Sequence, residues 1–156
     1  MGLGEGVSVQ ENDWAPLGQM LREICERRES LFSIRSPGGV AELYTGEIRK
    51  ISQDGGSFTV EREDWHIHFR LDSVERVRFD LSLKENGGLR MAVIMENAEG
   101  IPLLRAAWLP RLMPPDEDPA LRFWQFSERY KDLPGLIDNR DRRLVFSDEN
   151  VPRVNG

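Results

Sequence analysis

His66 and His68 are the only histidines in the 156-residue chain, and they sit in an alternating run, His66-Ile67-His68-Phe69-Arg70. Alternate residues of a strand leave on opposite faces, so both imidazoles and the Arg70 guanidinium share one side while Ile67, Phe69 and Leu71 take the other. Three kinds of chemistry fit that face. It is a solvated strand surface; or the two imidazoles at i and i+2 share a metal ion, although no third ligand is indicated; or it lines a ligand pocket. In a pocket, imidazole ligates or hydrogen-bonds and Arg70 answers a carboxylate or phosphate.

Little else in the chain carries recognisable chemistry. The glycine-rich pieces are hairpin turns rather than a dinucleotide fingerprint, a P-loop or a nucleophile elbow. Asp116, Glu117 and Asp118 suit the positive end of a helix better than acid–base catalysis. Met91 and Met95, on one strand between the charged Arg90 and Glu96, fit a core face. Cys25, the single cysteine, lies in a helical pattern and reads as a small core residue; alone it forms no intrachain disulfide and no thiolate metal cluster.

A formal charge of −6 argues against a nucleic-acid partner and against an anionic membrane surface. The first ten residues lack the basic and apolar regions of a secretory signal, and no apolar run approaches the length of a membrane span. The expected location is cytoplasmic.

The elements that must hold the histidine strand follow from periodicity. Asn12 or Asp13 caps a helix whose Trp14, Leu17, Met20, Leu21, Ile24 and Cys25 recur at three- and four-residue steps. Strands are predicted over 31–35, 40–51, 57–62, 64–71, 74–83, 89–96 and 101–109, with Gly46 a bulge or a point of close approach. Turn signals at Ser36-Pro37-Gly38-Gly39, Asp54-Gly55-Gly56, Asn86-Gly87-Gly88 and Asn97 to Gly100 separate most of them. A second helix over 116–131 carries Leu121, Phe123, Trp124, Phe126 and Tyr130. The expected fold is α+β: an antiparallel meander of six to seven strands flanked by an N-terminal and a C-terminal helix. Residues 1–11 are expected to be a flexible tail, 12–133 a single domain, and 134–156, polar and mixed in charge, a second flexible tail.

Taken together, residues 58–111 resemble the haem-utilisation superfamily of bacterial HemS/ChuS and ChuX/HutX proteins. In those proteins a Trp-containing turn leads into an Asn-Leu-His-Leu-Arg-like strand, here His66-Ile67-His68-Phe69-Arg70. The following strand ends in a Lys- and Gly-containing turn, here Lys84-Glu85-Asn86-Gly87-Gly88. A Ser-Leu-Glu-Phe-Phe-Asp-x-x-Gly strand is matched loosely by Met91 to Gly100, and an apolar strand with an Arg just beyond it by Ala106 to Arg111. The resemblance implies a haem carrier with His66, His68, Arg70, Lys84, Trp108 and Arg111 against the cofactor. Arg70, Lys84 or Arg111 would pair with the propionates, and Trp108 and Leu104 would supply apolar wall. The family's other axial histidine has no counterpart here, so iron would be held by His66 or His68, or by a Met, Tyr or Cys. Two other roles stay open: a homodimerising association domain that binds no haem, and haem degradation with electrons from a separate reductase.

Overall fold

The computed structural model of the protein describes residues 15–146. Helix α1 covers residues 15–26, and its Leu17, Met20, Leu21, Ile24 and Cys25 are buried as the periodicity requires. The proposed cap at Asn12 or Asp13, the apolar Trp14, and the tails 1–11 and 147–156 lie outside the described residues.

Nine strands follow: β1 (Ser30–Ser36), β2 (Gly39–Tyr44), β3 (Lys50–Asp54), β4 (Ser57–Glu61), β5 (His66–Arg70), β6 (Arg76–Leu83), β7 (Leu89–Glu96), β8 (Pro102–Trp108) and β9 (Leu136–Arg140). Helix α2 (Pro119–Glu128) comes between β8 and β9, and the Asp118 side chain caps it by accepting a hydrogen bond from the Leu121 N–H. The α+β class is therefore as expected, with nearly all strand pairs antiparallel.

The strands divide into a six-stranded sheet of order β2-β1-β8-β7-β6-β9 and a three-stranded sheet of order β3-β4-β5. The division falls inside the span 40–51, which alternation alone reads as one strand. The chain leaves the large sheet at Thr45 and Gly46. There the Thr45 N–H donates to the Ser30 carbonyl at 2.9 Å, and the Ser30 N–H donates to the Thr45 hydroxyl at 3.2 Å. Gly46 follows at φ +48°, a left-handed backbone in which a Cβ would also strike the Arg62 guanidinium.

Residues 134–146 correct the expected C-terminal tail. Strand β9 joins the sheet parallel to β6, with Val77 opposite Leu136 and Leu81 opposite Arg140. The segment lacks alternation, so composition reads it as loose. It is held by the unpaired edge of β6 and by Arg140, whose side chain is only 4% exposed. That guanidinium donates to Asp138 at 2.8 Å and to the Ser127 hydroxyl at 2.9 Å, and lies 4.0 Å over the Trp124 ring.

One core joins the two sheets. Phe32, Phe79, Met91 and Met95 of the large sheet and Phe123 and Phe126 of α2 are fully buried in one cluster, and Phe58 and Val60 extend it into the small sheet. Removing side chains of this size from water at roughly 25 cal/mol per Å2 is what holds helices and sheets together.

Candidate functional site

Strand β5 is placed as its alternation predicts: Ile67 points into the core, and His66, His68 and Arg70 lie on the exposed face of the small sheet. The imidazole centroids are 5.2 Å apart. Antiparallel register sets Thr59 opposite His68 and Glu61 opposite His66. The Thr59 hydroxyl and the His68 Nδ1 are hydrogen-bonded at 3.0 Å. Arg70 is already occupied, since its Nε and Nη2 bind both carboxylate oxygens of Asp72 at 3.0 and 2.6 Å. That pairing holds the Asp72 carboxyl below the usual carboxylate range. Among the described residues no group of three or more His, Cys, Asp or Glu side chains is arranged to hold a metal ion.

The other three sequence-selected residues come together elsewhere. Lys84, Trp108 and Arg111 line one cavity of about 190 Å3 at the end of the large sheet, on the face turned away from α2. Alternation along β1, β7 and β8 sends Leu31, Arg90, Arg105 and Ala107 to that same side; Leu109 adds apolar surface there, while Leu89, packed against the core, borders the cavity at its end. A neighbouring cavity of about 280 Å3, lined by Ser33, Arg35, Glu42, Ile94 and Pro102, shares Arg105. Tyr44 stands at the edge: its phenol oxygen accepts a hydrogen bond from Arg111 Nη2 at 2.5 Å.

The cations of this face differ in how they are satisfied. Arg78 is paired with Glu96 at 3.2 Å, and Arg90 reaches the Ser82 hydroxyl at 3.5 Å. Arg105 has no ion pair among the described residues, and burial makes its protonated form less favourable than usual; Asp80 and Glu42 oppose that effect, while Arg90 and Arg35 add to it. A half-desolvated guanidinium without an ion pair, among charges of both signs, can take an anion as a further partner.

Trp108 borders the cavity, but its indole is turned inward. It is 3% exposed and meets Phe123 at 5.1 Å and Phe126 at 4.9 Å between centroids, and the Arg27 guanidinium lies 4.3 Å over its ring. Leu104 is likewise buried in the core. Neither presents an open apolar wall. Tyr44, Arg90 and Arg105 were not singled out from sequence. Arg90 and Arg105 alternate with core residues on adjacent strands, a signal open to reading, whereas the approach of Tyr44 to Arg111 spans 67 positions and leaves no local trace.

A protein-family model matches residues 18–136, from α1 to the start of β9. No curated protein sequence matches the chain. Among solved structures, the haem-binding protein ChuX superposes with a TM-score of 0.57 at 15% identity, covering 73% of this chain and 72% of ChuX. A protein of Erwinia carotovora gives a TM-score of 0.51 at 16% identity over 74% of this chain and 73% of its own. One of Agrobacterium tumefaciens gives 0.52 at 16% identity over 74% and 68%. At these identities the likeness is one of fold. Among the described residues no helix is long and apolar enough to cross a membrane.

Proposed function

The chain belongs to the haem-utilisation superfamily as a ChuX/HutX-like member, and from that premise we propose that it binds haem on the open face of the six-stranded sheet. The observation that carries this reading is the convergence of Lys84, Arg90, Arg105 and Arg111 around apolar surface from Leu31, Ala107 and Leu109. Haem is a flat apolar ring with two carboxylates, and an apolar floor with cations at its margin is the matching chemistry. The cavity, at about 190 Å3, is smaller than the macrocycle, so these residues would hold haem across the sheet face rather than inside a pocket. Haem would bring an iron, and the Tyr44 phenol, bonded to the lining residue Arg111, would be a candidate ligand for it. Arg111 orients that oxygen through its hydrogen bond.

His66 and His68, the other candidate ligands, fit the group less well. Their face has no apolar floor, and its one arginine is neutralised by Asp72. The deciding experiment is a hemin titration followed by the Soret band in wild type, Tyr44→Phe, Arg111→Ala and the double variant His66→Ala/His68→Ala. A saturable spectrum that changes in the first two variants and persists in the double variant supports this reading. Loss of the spectrum only in the double variant moves the haem to the small sheet, and no saturable spectrum in any protein removes haem altogether.

A second reading is favoured by strand β2, which is the edge of the large sheet and exposes Val40 at 50% and Tyr44 at 45%. An unpaired edge with apolar side chains is a pairing site for a second copy, giving a homodimer. Light scattering distinguishes the two: a dimeric mass that Val40→Lys reduces to that of a monomer supports edge association, and a monomeric wild type refutes it.

A further inference from the structure

A third cavity opens between the C-terminal end of α1 and the segment joining the two sheets, bordered by the first residues of β3. It encloses about 290 Å3, and four cations, Arg22, Arg28, Arg49 and Lys50, face one carboxylate, Glu26, across it. We propose that this cleft is a binding site for a small phosphorylated anion carrying two or more negative charges, independent of haem.

Charge is the first argument. The whole chain carries a formal charge of −6, yet this lining is dominated by cations, none of which has an ion pair among the described residues. The bland alternative is that basic residues merely offset the negative end of α1. That end amounts to roughly half an elementary charge, which one cation satisfies, so most of the positive charge is left over. Cys25, at the floor, adds no negative charge: burial raises its thiol pKa to about 12, and it is neutral at physiological pH.

Backbone conformation is the second argument. Arg28 is the one non-glycine residue with positive φ among the described residues, at +66°. The position lies just past the end of α1, where glycine is the residue that adopts this conformation without strain. Here that position is filled instead by Arg28, an exposed residue that borders the cleft and adds a guanidinium to it. Across the cleft, Gly46 at φ +48° turns the chain so that Ile48, Arg49 and Lys50 close the opposite wall.

Ligand class follows from the lining. Three guanidinium forks favour phosphate oxygens, which they meet two at a time. The volume, at the small end of ligand cavities, suits a phosphate ester or pyrophosphate and not a macrocycle.

The test uses inorganic pyrophosphate as probe on the full chain, by calorimetry at constant ionic strength, with citrate as a carboxylate control and without hemin. The expected result is saturable pyrophosphate binding, weakened about tenfold in Arg28→Gly and in Arg49→Ala and unchanged in Arg111→Ala. Arg28→Gly is also expected to keep or raise the melting temperature, so its loss of binding is not a loss of fold. Three results would each overturn the proposal: no saturable binding, citrate binding as tightly as pyrophosphate, or full affinity in both cleft variants.

Discussion

The small sheet and the large sheet each offer a face bearing titratable groups, and they differ in what water has left to do. On the small sheet His66, His68 and Arg70 are exposed: Thr59 is hydrogen-bonded to His68, Asp72 pairs with Arg70, and His66 is open to water. On the large sheet Arg105 is half-buried without an ion pair, and Leu31, Ala107 and Leu109 lie beside it. Solvated groups gain little from a ligand because water and neighbours already serve them. A partly desolvated cation next to apolar surface gains both a counter-charge and the burial of that surface. The residue types most suggestive in a sequence are thus not the ones best prepared to bind.

The comparison breaks most severely at Trp108. If its role is the core contact with Phe123 and Phe126, Trp108→Ala costs about 3–5 kcal/mol in urea unfolding. The expectation is a lost fold rather than a selectively lost ligand, and a variant of wild-type stability would place the indole at the binding face instead. Arg111→Ala sharpens the contrast at the next level, with hemin affinity expected to fall about tenfold and stability little changed. Spectroscopic titration and urea unfolding of one sample separate the two effects.

Strand β9 gives a pH-dependent test. Arg140 holds the Asp138 carboxyl below its ordinary range, chiefly through their hydrogen bond. A carboxyl whose folded pKa is depressed contributes stability above its unfolded pKa and loses it as pH falls through the folded value. Acid unfolding of Asp138→Asn should therefore show a shallower loss of stability below about pH 4 than wild type. The smallest effect is expected on the histidine face: His66→Ala and His68→Ala should each change stability by no more than about 0.5 kcal/mol. A larger cost would mean that this face is covered by something other than water.

Periodicity in the sequence is enough to find α1, α2 and most strands. A helix with Leu17, Met20, Leu21 and Ile24 on one stripe, and strands with Val77, Phe79 and Leu81 on one face, have a single way to bury those side chains. Side-chain direction on β5 was legible for the same reason. Strand β9 was not, because its place depends on an open edge of β6 rather than on its own pattern. Nor was the break at Thr45 and Gly46, where alternation continues but the hydrogen bonds to Ser30 turn the chain toward a second sheet.

The candidate site divides along the same line. By itself the sequence determined the residues available, His66, His68, Arg70, Lys84, Trp108 and Arg111, and the face each strand residue takes, since both are local properties of the chain. Only the tertiary structure decided that Lys84 and Arg111 meet Arg90 and Arg105, that Trp108 turns into the core, and that Tyr44 reaches Arg111. Those outcomes depend on which strands pair and on how much water each group gives up, and no local pattern encodes either.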